Sequence, residues 1–297
     1  MIQHTARNIL TLIIIAALTF ACTKKNSELP LKPDTPNNDK PAPADTITLR
    51  PYGATATNRL KNYHIVWQDE FDVDGMPNMN SWWYETGGNG WGNNEKQYYV
   101  GGRRGTDTCA VQRNGILTIT AKQVGDEVLS VRMNTQQSWT YGYFEARLKL
   151  PKGKGTWPAF WMMPKESDYW WPECGEIDIM EHVGYDPDVS HATIHCNAYN
   201  HKTGQGKGAT TRVPNSHNEF HIYAMEWTPD YIHGFVDGKR YFTFMNDKKG
   251  NNDTWPFTTA FYLKLNLAWG GWGGAMGLDY TCLPASYEID WVRVFSK

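Results

Sequence analysis

Long apolar runs, helical periodicity, a surplus of either charge and a dense cysteine framework are all missing from this chain. The mostly apolar run Ile9 to Ala21 is too short to span a bilayer, which takes about 20 apolar residues. The 31 acidic residues against 29 Lys and Arg leave a formal net charge of -2. With no basic cluster, that balance argues against nucleic acid and strongly sulfated glycans as partners, since both call for an Arg- and Lys-lined surface. Setting Cys22 aside, the cysteines are Cys109, Cys174, Cys196 and Cys282. An even number permits disulfides in an exported chain, but spacing assigns no partners. No Cys/His/Asn signature surrounds Cys174, so it reads as a small packed thiol, placed by alternation on the face of Glu176. The apolar signal that remains has period two, and no internal repeat accompanies it.

The first 57 residues of the sequence are an address followed by a tether. Arg7, the apolar run and the small Ala21 follow the order of a signal peptide, so residues 1–21 are expected to direct export. Cys22 resembles the lipidation site of bacterial lipoproteins. The expected location is therefore the outer membrane or cell surface of a Gram-negative bacterium, with membrane contact only through an N-terminal lipid. Residues 22–57 are rich in Pro, Asp, Asn, Lys and Thr, which bury too little apolar surface to offset their ordering entropy. They are expected to form a linker, and residues 58–297 a single domain, monomeric, with length enough for a full core.

That domain holds most of the 14 Trp, 16 Tyr and 11 Phe of the sequence. Its readable strands include Tyr143 to Leu150, Gly115 to Thr120 and Phe220 to Trp227. Tyr231 to Val236 and Lys239 to Phe244 flank Asp237-Gly238, a two-residue hairpin turn signal. Many strands, glycine-rich turns and no clear helix indicate an all-β fold, a sandwich or a barrel.

The densest chemistry lies in Glu176-Ile177-Asp178-Ile179-Met180-Glu181-His182. Successive side chains on a strand point to opposite faces, so Glu176 and Asp178 share one face. Glu181 lies an odd interval from Glu176 and would point into the core. A β-bulge near Met180 is therefore predicted, returning Glu181 to the acidic face. Two carboxylates at roughly 5 Å separation suit retaining glycoside hydrolysis, one as nucleophile and one as proton donor. Like charges so close cannot both ionise cheaply, so one pKa is raised. Glu176 is the candidate nucleophile, Glu181 the candidate acid/base, and Asp178 between them the partner that sets which of the pair holds the proton. A metal site of the same acids with His182 is the competing reading, weakened because His182 should alternate away from Glu181. A plain solvated strand face is the other.

Aromatic residues surround this stretch. Sugar rings present flat C–H faces that stack on indoles, and a cleft for an extended chain needs several such platforms. Trp157, Trp161, Trp170 and Trp171 lead into the acidic strand. Trp91, Trp269 and Trp272 lie in glycine-rich segments suited to a cleft rim. Any one tryptophan is as readily a core residue, but the group is too large for packing alone, since cores favour aliphatics.

Glu176 to Glu181 resembles the signature of glycoside hydrolase family 16, in the laminarinase-like form with the extra residue. The resemblance runs from about Val66 to Phe295 and includes Trp67-Gln68-Asp69-Glu70-Phe71, Asn93-Asn94-Glu95, Gly155-Thr156-Trp157-Pro158-Ala159 and Asp290-Trp291-Val292-Arg293-Val294. It implies a concanavalin-like jelly-roll β-sandwich with a concave substrate cleft. It also implies endo-hydrolysis with retention, using Glu176, Asp178 and Glu181. The substrate implied is β-1,3-glucan (laminarin) or mixed-linkage β-1,3/1,4-glucan, with no cofactor for catalysis. Asn93, Trp157, Trp161 and Trp171 are similar to residues lining sugar subsites, His195 to a histidine near the acid/base, and Trp272 is expected beside them. Asp290 is similar to an aspartate that binds a structural calcium in many relatives. Trp269 stands where relatives often carry a smaller residue and is read as one added stacking platform. The rival functions are a glycan-binding lipoprotein without chemistry and a transglycosylase on the same fold.

Overall fold

The computed structural model describes residues 62–297. The expected signal peptide at 1–21, the lipidation site Cys22, the linker at 22–57 and the start of the domain at 58 lie outside the described residues. Within them the fold is all-β, with two large sheets, antiparallel except where Gln97–Tyr99 pairs parallel with Glu127–Ser130, and only short 3-10 turns as helical structure.

One sheet has seven strands. In spatial order they are Lys207–Arg212, Val189–His195, Glu176–Glu181, Thr156–Pro164, Phe261–Trp269, Arg132–Thr135 and Trp82–Glu85. The other has ten, with Gly142–Lys149 and Ala285–Ser296 at its centre. Period-two patterning puts alternate residues of both sheets into one core. Phe144, Ala146 and Leu148 come from one side, and Ile177, Ile179, Leu263, Leu265 and Leu267 from the other, all fully buried. The predicted hairpin is present. Asp237 and Gly238 both take positive φ, 47° and 73°, the twist that a tight antiparallel connection requires.

The predicted bulge is also present. Phe160 pairs with Met180 but Trp161 pairs with Asp178, which leaves Ile179 unmatched. On the other flank Asp178 faces Thr193 and Glu181 faces His191, so Ile179 and Met180 together oppose one residue. Both side chains are fully buried. Two consecutive residues facing the core is the outcome the odd spacing required, and it turns Glu181 outward.

Two readings need correction. Trp269 is not a rim platform. It ends the strand Phe261–Trp269 and is fully buried. Gly155, at φ 115°, makes room for it, since a Cβ there would lie 2.7 Å from the indole. Cys174 does not line the cleft either. The strand begins only at Glu176, and Gly175 at φ 86° breaks the alternation that would have aligned Cys174 with it. Cys109, Cys174, Cys196 and Cys282 are all free thiols.

Candidate active site

Glu176, Asp178 and Glu181 open into one concave pocket on the outer face of the seven-stranded sheet, with Trp157, Trp161 and Asn93 among its walls. The Trp171 indole donates to Glu176 Oε2 at 2.7 Å, and the Trp157 indole donates to Glu181 Oε1 at 3.1 Å. The two ends of the acidic strand are thus each held by a tryptophan N–H.

Electrostatics separate the three acids. Burial first, and then the neighbouring Asp178, push the Glu181 carboxyl well above the usual range; His195 opposes this, Glu176 adds to it, and the Trp157 N–H opposes it least. Burial and then the Glu176 charge likewise raise Asp178, which also hydrogen-bonds Glu176. A neutral acid at Glu181 can donate a proton. A protonated Asp178 can donate to Glu176.

His195 is the cross-strand partner of Glu176, and its Nε2 lies 3.4 Å from Asp178 Oδ2. Expected near the acid/base, it is near enough for its charge to act on the Glu181 carboxyl, favouring the ionised form. Trp171 packs against the rings of His195 and His201 at 5.7 and 5.1 Å. Trp272 meets Trp157 and His191 edge-on at 5.8 and 4.8 Å, at the Glu181 end. Trp161 lines the pocket as expected of a subsite residue. Its N–H binds Asn266 Oδ1 at 2.7 Å, and Arg132 and Lys264 lie 4.8 and 4.9 Å from its ring.

His182 is fully buried, with Nδ1 2.8 Å from the Val189 carbonyl, so it takes no part in a metal site with the acids. Glu176, Asp178 and His195 do offer three ligand atoms within 4.8 Å of one another, the only such group among the described residues. Asp290, expected at a calcium site, accepts a hydrogen bond from Arg147 at 2.5 Å and is 3% exposed. Among the described residues Asp290 belongs to no group of three or more His, Cys, Asp or Glu side chains placed to hold a metal.

Four pocket residues were not anticipated as site residues: Glu95, Arg132, Ala159 and Asn266. Glu95 accepts from Gln97 Nε2, Tyr99 Oη and Asn93 Nδ2 at 2.6, 3.0 and 3.3 Å, and burial raises its pKa. Asn266 Nδ2 donates to the same tyrosine oxygen at 3.2 Å. Asn93, Glu95, Tyr99, Asn266 and Trp161 form one hydrogen-bonded chain along the cleft floor. The readable signal was the alternation Leu263-Lys264-Leu265-Asn266-Leu267, polar at every second position.

Residues 94–293 match the profile of glycosyl hydrolases family 16. The chain belongs to that family. A β-glucanase of Rhodothermus marinus is 44% identical over 256 residues, covering 82% of this chain and 88% of its own. The crystal structure of the laminarinase from Rhodothermus marinus superposes with a TM-score of 0.75 at 45% identity, covering 79% of this chain and 97% of its own. A non-specific endo-β-1,3(4)-glucanase of family 16, crystallised with a glucan oligosaccharide at its active site, gives a TM-score of 0.76 at 43% identity, over 80% and 96% of the two chains. The family's jelly-roll sandwich is the fold found here.

Proposed function

We propose that this chain is a retaining endo-β-1,3(4)-glucanase with Glu176 as nucleophile, Glu181 as acid/base and Asp178 as the residue that positions and protonically supports Glu176. The observation that carries the assignment is the bulge at Ile179–Met180. It sets Glu176 and Glu181 on one pocket wall while burial keeps Glu181 protonated.

The glucan lies across the strands with its scissile bond over the acidic strand. Glu181 gives its proton to the glycosidic oxygen as that bond breaks, and the Glu176 carboxylate attacks the anomeric carbon from the other face. The Trp171 N–H on Oε2 helps to orient that carboxylate. The first product leaves with the aglycone, and the glycone stays as an ester of Glu176. Glu181, now ionised, takes a proton from water; the hydroxyl adds to the anomeric carbon and Glu176 is freed, so configuration is retained after two inversions. No step uses a metal.

Export, anchoring through an acylated Cys22 and action as a monomer belong to the same reading, supported by the order of Arg7, the apolar run, Ala21 and Cys22 and by the polar tether. Membrane fractionation of the Cys22→Ala protein tests the anchor, and an unchanged membrane fraction would remove it. The catalytic reading is tested by product analysis of protein lacking residues 1–22 on laminarin, mixed-linkage glucan, cellulose, agarose and carrageenan. Short oligosaccharides from the first two are expected, and their new reducing ends name the linkage cut. Binding without any product would leave a glycan-binding protein.

A further inference from the structure

Two rows of cross-strand neighbours traverse the outer face of the seven-stranded sheet. One runs Asp178, Trp161, Lys264, Asn134, Trp83. The other runs Glu181, Ala159, Asn266, Arg132, Glu85. Directly paired residues point to the same face, so Trp83 and Glu85 on the edge strand share the face of the acidic residues. The described cleft covers only the near part of these rows, as far as Arg132. Four interstrand steps of about 4.8 Å put Trp83 roughly 19 Å from Asp178, several sugar units from the scissile bond.

At that far end Trp83 meets Tyr262, their ring centroids 5.8 Å apart and their planes at 60°. Neither ring belongs to the core or packs against it, although Trp82 and Tyr84 on the same short strand do. Both are partly exposed. Their placement is built rather than incidental. The Trp83 indole donates to the Thr135 carbonyl at 3.3 Å. Lys264, fully buried, lies 6.0 and 5.0 Å from the Trp83 and Tyr262 rings and donates to Glu85 and Asn134 at 2.7 and 2.6 Å. A pair of aromatic rings held on the cleft face, outside the core and continuous with the cleft, has the chemistry to stack on the C–H face of a sugar.

We infer that Trp83 and Tyr262 form a remote sugar-binding platform, which takes a glucosyl unit of a long β-glucan chain whose scissile bond lies over Glu176 and Glu181. The inference rests on the glucanase reading. It makes this enzyme favour polymer and long oligosaccharides over short ones, because only a chain long enough to cross all five strands reaches the edge.

The test is a chain-length profile for the full-length protein and for the Trp83→Ala and Tyr262→Ala variants, each on laminaritriose, laminariheptaose and laminarin. Each variant is expected to lose roughly tenfold in kcat/KM on heptaose and polymer, one aromatic contact's worth. Activity on the triose should stay within about twofold and the melting temperature should hold. Trp83→Phe should recover part of the loss. Equal losses at every chain length would overturn the platform and leave the rings a supporting role, and so would no loss on the long chains. Calorimetric titration of the same oligosaccharides into Glu176→Gln protein, with and without Trp83→Ala, asks the question without turnover. Absence of any chain-length dependence that Trp83→Ala removes would overturn the platform there too. If the unaltered protein cleaves no glucan of any length, the glucanase reading fails first, and that outcome is distinct from a platform failure.

Discussion

Trp157→Phe tests how Glu181 keeps its proton. The indole N–H of Trp157 is a side-chain donor to Glu181, and it favours the charged form. Phenylalanine keeps most of the wall and removes the donor. A hydrogen bond to a charged group is worth about 1.5–3 kcal/mol. At 3.1 Å this one is longer than the roughly 2.7–2.9 Å of strong charge-assisted bonds. The low end, about 1.5 kcal/mol, corresponds to about one pKa unit. Losing the donor destabilises the carboxylate, so the Glu181 pKa rises further. The alkaline limb of kcat/KM against pH reports the acid of the free enzyme and should move up by about one unit. The assay is initial-rate hydrolysis of a laminarioligosaccharide from pH 4 to 10 (~ one-unit steps or finer). Trp161→Phe is the control, because its N–H serves Asn266 and its alkaline limb should stay in place. A Trp157→Phe limb that stays fixed, or moves to lower pH, would refute the assignment of the proton to Glu181.

Glu181→Gln should lower kcat/KM by about 10²–10⁴-fold while isothermal titration still detects oligosaccharide binding; near-normal turnover would remove Glu181 from the chemistry. Glu145 is 1% exposed, and burial raises its pKa to about 8, against a smaller opposing effect of Arg293. The native state then holds a proton that the unfolded chain releases above about pH 4.3, so stability falls as pH rises from there through about 8. Melting curves at several pH values should show that decline, and Glu145→Gln should flatten it. Trp269→Ala removes a fully buried ring and should cost about 3–5 kcal/mol, seen as a melting temperature lower by roughly 10 °C. A chelator should leave the melting temperature unchanged, given the pairing of Asp290 with Arg147; a clear drop would point to a calcium held by carbonyl oxygens instead.

What could be read in advance was whatever periodicity encodes. The odd interval between Glu176 and Glu181 demanded a bulge, and Asp237-Gly238 demanded a hairpin. Both are local consequences of backbone geometry, and both are present. Burial of a single tryptophan is not local. Trp269 sits beside glycines as a rim residue would, yet the glycine that makes room for its ring is Gly155, more than a hundred positions away. The cleft floor was missed for the same reason. Glu85 binds Arg132 across 47 positions and Lys264 across 179, and no pattern within one strand says that these charges meet. The alternation in Leu263 to Leu267 did announce a half-buried strand with Lys264 and Asn266 on its polar side. It could not announce that the polar side was the cleft.

The three acids divide their labour through unequal solvation. Glu176 receives the Trp171 N–H at 2.7 Å and a hydrogen bond from Asp178. Glu181 receives one longer indole bond and stands near two other carboxyl groups in a buried setting. Burial therefore favours the neutral form of Glu181 and of Asp178. A neutral acid beside the nucleophile is what a retaining hydrolase needs before the first step. When Glu176 becomes an ester it loses its charge, and with it one of the repulsions that raise Glu181. The Glu181 pKa then falls just as it must hold the carboxylate form to take a proton from water. The same residue can act first as acid and then as base because its neighbour's charge disappears between the two steps.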